Sequence, residues 1–132
     1  MPPTDLFNLD GLTNQAMALR SRFDATALAS GRRPWTRDEV MSGFVGDVGD
    51  LVKLSMAKNG TRPIADAERK LGHELADCLW SVLVLAKLHD VDLEREFTRM
   101  IAEVSAQHPA TSPLSASPLS APRSRQLLQS GL

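Results

Sequence analysis

The length, composition and charge of this chain exclude several classes of protein. It has 132 residues, of which 42% are hydrophobic and 23% are charged, as is typical of a single soluble globular domain. A formal net charge of −1 gives no electrostatic reason to expect a nucleic acid or an anionic membrane as a partner. The single Cys78 excludes an intrachain disulfide and a zinc site built from several cysteines.

The apolar segments predict no targeting or membrane-spanning element. The longest apolar run, from Cys78 to Ala86, is interrupted by Ser81 and is too short to cross a bilayer. The first residues, MPPTDLFNLDG, lack a basic segment followed by a long apolar one, so no signal peptide is expected. We therefore expect a cytoplasmic protein.

Helical spacing of apolar residues predicts an all-α fold with four helices. A capping box at Thr36-Arg37-Asp38-Glu39 marks the start of the second helix, and Asp92 is a plausible cap for the fourth. Pro63 suits the first turn of the third helix. The predicted helices run from about Leu6 to Ser30, from Arg37 to Asn59, from Pro63 to His89, and from Asp92 to just before Pro109.

The predicted helices also indicate which residues are buried. In the second helix the expected buried stripe is Val40, Phe44, Val48, Leu51 and Ser55. The third helix is apolar nearly all round from Cys78 to Ala86, so we expect other helices or another subunit to enclose it. Residues 1–108 are expected to form one four-helix domain. From Pro109 the chain is rich in Pro, Ser and Ala, with SPLSA twice, which predicts a disordered tail over 109–132.

Two acidic pairs, Asp47-x-x-Asp50 and Glu74-x-x-Asp77, are the candidate chemical centre. Residues three apart on a helix lie about 60° apart around its axis, so each pair aims two carboxylates in one direction. If the two helices pack antiparallel, four carboxylates converge, and such a cluster needs a cation. Oxygen-only ligands suit Mg²⁺ or Mn²⁺, and bound Mg²⁺ commonly indicates a phosphate substrate.

These residues also admit interpretations other than a magnesium site. Acidic pairs at this spacing also occur on ordinary solvent-exposed helices, so the spacing alone decides little. No histidine stands three residues after a glutamate, as a di-iron bundle requires, and the His-Glu-x-x-His motif of zinc hydrolases is missing. Gly43, Gly46 and Gly49 lie within a helix and suggest close approach by a neighbouring helix or ligand, and not a phosphate-binding loop.

A longer pattern resembles a known family. The run Phe44-Val45-Gly46-Asp47-Val48-Gly49-Asp50-Leu51, then Glu74-Leu75-Ala76-Asp77, then Asp90-Val91-Asp92-Leu93, is similar to the MazG-like all-α nucleoside triphosphate pyrophosphohydrolases, whose signature is Glu-x-x-Glu followed by Glu-x-x-Asp. Here 23 residues separate the two pairs. The GDVGDL segment is similar to the GEVGEL of the dCTP pyrophosphatase branch. The resemblance covers roughly residues 35–97.

The resemblance implies a fold, an activity and a site. It implies a four-helix MazG-like bundle completed by dimerisation, as a homodimer or a dimer of dimers. It also implies that Asp47, Asp50, Glu74 and Asp77 are the catalytic residues and hold Mg²⁺, while an activated water attacks the α-phosphorus of a nucleoside triphosphate and releases pyrophosphate. The expected function is removal of unwanted or excess nucleotides.

The chain departs from that family at the first acidic pair and at two positions where the family has aromatic residues in the pocket for the nucleotide base. Asp replaces Glu at 47 and 50, which shortens each arm by one methylene. The dCTP branch places an aromatic residue near position 57 and a tyrosine four residues after the last Asp, where this chain has Ala57 and Ser81. A dCTP preference is therefore not carried over. The alternative is a catalytically weak or inactive module of the same fold, used for nucleotide sensing or protein association.

Four further residues are candidates for substrate binding. Trp35 could stack on a base, or could serve as a hydrophobic staple or core-edge residue. Lys58 could meet phosphate, although a lysine at a helix C-terminus is favourable anyway. Lys70 could also meet phosphate, although an i,i+4 ion pair with Glu74 is the simpler interpretation. Ser81 takes the position at which the resemblance places a base contact.

Overall fold

The computed structural model describes residues 8–110, which form four helices. No strand occurs within that range, so the expected all-α class is confirmed for the described part of the chain. The disordered tail predicted for 109–132 lies outside the described residues, except for Pro109 and Ala110. The helices are α1 (Leu9–Ala29), α2 (Arg37–Lys58), α3 (Ala67–Leu88) and α4 (Leu93–Gln107).

Side-chain caps fix the first turn of three helices, because the first backbone N–H groups of a helix have no partner within it. The predicted capping box is confirmed: Thr36 Oγ1 accepts from the Glu39 N–H at 3.2 Å, and Glu39 Oε2 accepts from the Thr36 N–H at 2.7 Å. Asp92 caps α4 as predicted, since its Oδ1 accepts from the Arg95 N–H at 3.0 Å. At α1 the cap is Asn8.

The predicted start of α3 at Pro63 is wrong, because the helix begins at Ala67. Asp66, immediately before it, has a φ of 55°, and this left-handed conformation cannot continue a helix in either direction. The same conformation recurs at Asp90, where φ is 54° and α3 has just ended. There the Val91 N–H donates to the Ala86 carbonyl at 2.9 Å, closing the helix as a Schellman motif does.

The core lies where α1, α2 and α3 meet. Its buried cluster consists of Ala16, Val40, Leu83, Val84 and Leu85, three of which are consecutive on α3. Trp80 joins α3 to α1, because its indole N–H donates to the Ala16 carbonyl at 3.1 Å. The expected enclosure of α3 is therefore seen around Leu83–Leu85, whereas Leu79 in the same run is 47% exposed.

Two apolar faces point away from this core. On α2, five residues form what we call the outer stripe, Met41, Val45, Val48, Val52 and Met56, and all five are exposed. Val48 was expected in the buried stripe, but Leu54 is buried instead, because the face of α2 toward α3 runs through Val40, Phe44 and Leu54. On α4, the α4 stripe consists of Phe97, Met100, Ile101 and Val104, which are also exposed.

None of the helices in the described part of the chain is both long enough and apolar enough to cross a membrane.

Candidate functional site: four carboxylates between α2 and α3

The two acidic pairs face one another across the contact between α2 and α3. Lys58 at the end of α2 lies 3.9 Å from Glu68 in the first turn of α3, so the helices run back along each other from the intervening turn. This pairing brings the middle of α2, with Asp47 and Asp50, beside the part of α3 that carries Glu74 and Asp77.

Burial and neighbouring negative charge both disfavour the ionised forms of two carboxylates, Asp47 and Glu74. Partial burial raises the pKa of Asp47, and the charges of Asp77 and Asp50 raise it further. Burial also raises the pKa of Glu74, as do Asp77, Asp47 and Asp50, while His73 acts in the opposite direction. The four side chains that the sequence indicated are therefore close enough to interact.

Each of the two acidic pairs has a basic side chain of its own helix in contact with one of its carboxylates. Lys53 Nζ lies 3.1 Å from Asp50 Oδ1 on α2, and His73 Nε2 lies 3.3 Å from Asp77 Oδ2 on α3. The Lys53–Asp50 contact is a solvent-exposed ion pair, which contributes about 0–1 kcal/mol, and the His73–Asp77 contact is an ion pair only when His73 is protonated. His73 was not among the predicted site residues, although its position four residues before Asp77 could have indicated it.

Cys78 is the second neighbour that the sequence did not indicate. Burial raises the pKa of its thiol, and the charges of Asp47, Glu74 and Asp77 raise it further. The thiol is therefore protonated at neutral pH, and it is half-buried beside the carboxylates. This agrees with a packing role and gives no sign of a nucleophile.

The donor set fits a hard divalent cation in its chemistry, since all four groups are carboxylates. Within residues 8–110, however, no three His, Cys, Asp or Glu side chains are grouped so that they could hold a metal ion. The expected close approach at the glycines is found only at Gly43, while Gly46 and Gly49 have open space where a Cβ would stand. The carboxylates interact but do not form a closed ligand shell.

The predicted substrate-binding residues lie in different surroundings. Trp35 is 59% exposed, and its ring lies against the Cα of Gly43. Lys58 pairs loosely with Glu68. Lys70 is exposed and, as far as the described residues go, has no ion pair with Glu74. Ser81 is only 2% exposed, so it lies within the core and is closed to a ligand in this conformation.

A small cavity beside Glu74 brings cationic groups near the carboxylates. It has a volume of about 160 Å³ and is lined by Arg69, Lys70, His73 and Glu74. Arg69 is paired with Asp66 at 2.8 Å, whereas Lys70 has no ion pair with any residue of 8–110, so Lys70 is the better candidate to meet an anion.

Comparisons with known proteins add no assignment. No family model matches the chain, and searches of curated proteins and of solved structures give no match either.

Proposed function

We propose that this chain is an Mg²⁺-dependent nucleotide pyrophosphohydrolase, which converts a nucleoside or deoxynucleoside triphosphate and water into the monophosphate and pyrophosphate. The observation that carries the proposal is the convergence of Asp47, Asp50, Glu74 and Asp77 at the contact between α2 and α3. Burial raises the pKa values of Asp47 and Glu74, and the neighbouring negative charges raise them further, so a divalent cation at this position would favour their ionised forms.

The side chains of this region have separable roles in the proposed reaction. The four carboxylates would hold Mg²⁺, or Mn²⁺ in its place. When bound, the ion offsets the charge of the triphosphate and lowers the pKa of a water molecule. Lys58 and Lys70 stand on the neighbouring ends of α2 and α3 and would attract the phosphate chain.

The bond changes are those of an in-line displacement at phosphorus. Water attacks the α-phosphorus, and the bond from that phosphorus to the oxygen bridging to the β-phosphorus breaks, so pyrophosphate leaves. The proton of the attacking water passes to a carboxylate that is not fully used in holding the ion. Asp at 47 and 50 brings shorter arms than Glu, so the helices must approach more closely or the rate falls.

We further propose that the protein acts as a homodimer or a dimer of dimers. The outer stripe of α2 recurs at spacings of three and four residues, the pattern of a helix packed on a partner helix. The α4 stripe supports the same proposal, because α4 contributes no buried residue to its own chain. Large exposed apolar faces on one molecule favour association.

A second candidate function is a module of this fold that senses nucleotides or associates with proteins without turnover. The open arrangement of the carboxylates favours it, since no ligand shell is assembled among the described residues. Thermal-shift measurements with Mg²⁺ and nucleotides separate the candidates. Stabilisation without turnover indicates a sensor, and no stabilisation indicates an association module.

A turnover panel tests the main proposal. Purified protein is incubated with ribo- and deoxyribonucleoside triphosphates plus Mg²⁺, and pyrophosphate release is measured. We expect release from at least one substrate, and its loss in Asp50→Asn and in Glu74→Gln with helicity retained. Glu103→Gln, which removes an exposed carboxylate on α4, is the matched control and should keep full activity. Pyrophosphate release from none of the substrates, at high enzyme concentration, would reject the proposal.

A further inference from the structure

A second cavity lies between α1 and the segment that leads into α2, beside the Trp35 ring that packs against Gly43. The cavity has a volume of about 290 Å³ and a predominantly apolar lining. Both tryptophans of the chain, Trp35 and Trp80, contribute to its lining together with Phe23. Phe23 and Trp35 are more than half exposed, at 53% and 59%. Aromatic walls in a concave site of this size suit a small planar ligand.

The aromatic walls are held in place by contacts with the rest of the fold. The hydrogen bond from Trp80 to the Ala16 carbonyl fixes the indole, and the ring of Phe23 meets it edge to face with centroids 5.7 Å apart. Arg20 Nη2 donates to the Trp35 carbonyl at 3.0 Å, which ties the loop to α1. These contacts restrict the positions of the aromatic rings, which lowers the entropic cost of ordering them around a ligand.

Gly43 determines where the Trp35 ring can lie. A Cβ at this position would stand 2.9 Å from Cζ3 of Trp35, closer than a side chain tolerates. The Trp35 ring also lies near the carboxylates along α2, because Asp47 follows Gly43 by about one helical turn, about 6 Å along the axis. A sugar can bridge such a gap between a ring in the cavity and a phosphate near Asp47.

Arg20, which lines the cavity, carries a buried donor: its Nη1 has no hydrogen-bond partner among the described residues. After a small rotation of the guanidinium group, a ring carbonyl or ring nitrogen would satisfy it.

We propose that the cavity walled by Phe23, Trp35 and Trp80 binds the heteroaromatic base of the triphosphate substrate, with Trp35 as the stacking surface. The inference rests on the proposed function for its choice of ligand. It places the base on the α1 side of Gly43, so that the phosphates extend along α2 toward Asp47.

Calorimetric titration of the full chain in Mg²⁺ tests the proposal with three probes: a nucleoside triphosphate, inorganic tripolyphosphate and a nucleoside without phosphates. Loss of base stacking weakens binding roughly 5- to 100-fold. We expect that loss for the nucleoside triphosphate in Trp35→Ala, with tripolyphosphate binding unchanged. Gly43→Ala should act in the same direction, because it displaces the ring while favouring the helix. Leu28→Ala, which changes an exposed apolar residue of α1 that does not line the cavity, is the control and should change neither.

The outcomes separate this inference from the proposed function. An equal loss for both phosphate ligands in Trp35→Ala, or no loss for the nucleotide, overturns the cavity assignment and leaves the hydrolase proposal standing. Because both tryptophans line the cavity, the nucleoside should quench tryptophan fluorescence. Quenching by the nucleoside without any binding of tripolyphosphate supports the cavity and counts against the phosphate site.

Discussion

Arg33 and Glu39 form a bidentate ion pair at the N-terminus of α2. The guanidinium nitrogens of Arg33 lie 2.7 and 2.8 Å from the two carboxylate oxygens of Glu39. The same carboxylate accepts the Thr36 N–H, so one side chain closes the capping box and anchors the loop. Arg33 and Thr36 together hold the pKa of Glu39 at about 2.

This ion pair predicts a pH dependence for stability. Because the pKa of Glu39 is lower in the folded chain than its ordinary value of 4.5, the stabilisation is present above that value and disappears as the pH falls toward about 2. We expect Glu39→Gln to melt at a lower temperature than the parent near neutral pH, with the difference closing in acid. Melting curves across this range check the prediction. A difference that stays constant with pH would contradict it.

Neutralising Glu74 should have the opposite effect in metal-free buffer. Its raised pKa means that the ionised form costs the folded state free energy; the cost is absent below the ordinary value of 4.5 and present at neutral pH. Relief of like-charge repulsion is worth about 0.5 kcal/mol, or roughly 2–4 °C in melting temperature. We expect Glu74→Gln to melt higher than the parent in a chelator, and added Mg²⁺ to stabilise the parent more than the variant. Equal Mg²⁺ stabilisation of both proteins would argue against a role for Glu74 in cation binding.

The turn between α3 and α4 contains two aspartates with opposite requirements. Asp90 is held at a φ of 54°, which glycine adopts without a Cβ penalty, so Asp90→Gly should stabilise the fold by about 0.5–1 kcal/mol. Asp92 caps α4, so Asp92→Ala should destabilise it by about 1 kcal/mol. Urea unfolding of both variants gives the two free energies. Shifts of the same sign would show that charge, and not backbone conformation, dominates at this turn.

Core and surface leucines provide a matched test of the packing. Leu83 is buried at 3% exposure on α3, whereas Leu28 on α1 is exposed. We expect Leu83→Ala to lower the free energy of unfolding by about 2–5 kcal/mol, and Leu28→Ala to change it by less than about 0.5 kcal/mol. Chemical denaturation monitored by circular dichroism measures both. Similar losses for the two variants would place the core elsewhere.

Association can be tested through the outer stripe of α2. Val45 and Val52 project from the same face and are 66% and 55% exposed. If the stripe lies in a homodimer, the double substitution Val45→Glu and Val52→Glu buries two charges there and should give monomers in sedimentation velocity, with helicity retained. The matched variant carries the same change at Leu28. A parent protein that sediments as a monomer at all concentrations would remove the dimer from the proposal.

Local sequence chemistry was enough to locate most helix boundaries. Thr36 and Asp92 were identified as caps because their side chains suit unpaired backbone donors, and both bind as expected. The prediction that α3 begins at Pro63 was wrong because proline is tolerated in a first helical turn but does not start one. The helix begins only after Asp66, whose left-handed conformation depends on how the preceding turn closes. Such closure is a property of the whole chain, which no single residue type determines.

Local sequence chemistry also identified part of the candidate site. The spacing of Asp47 and Asp50 predicted a shared direction, and the structure shows them interacting with α3. The cavity at Trp35 was not predictable, since Phe23 and Trp80 are brought beside it only by the packing of α1 on α3. For Ser81 two sequence arguments disagreed: the resemblance places it at a base contact, whereas the apolar run that surrounds it predicts enclosure, and it is buried.

Because α4 contains no buried residue, we expect α4 to open locally at a lower free energy than the helices that form the core. Its backbone hydrogen bonds are protected by the helix itself and by little tertiary packing, whereas those around Val84, at 0% exposure, are shielded by three helices. Amide hydrogens in α4 should therefore exchange with deuterium through a local opening of low free energy, while those of α3 wait for global unfolding. A partner that covers the α4 stripe would suppress this local opening. Slowed amide exchange in α4 therefore measures the fraction of molecules in which the α4 stripe is covered.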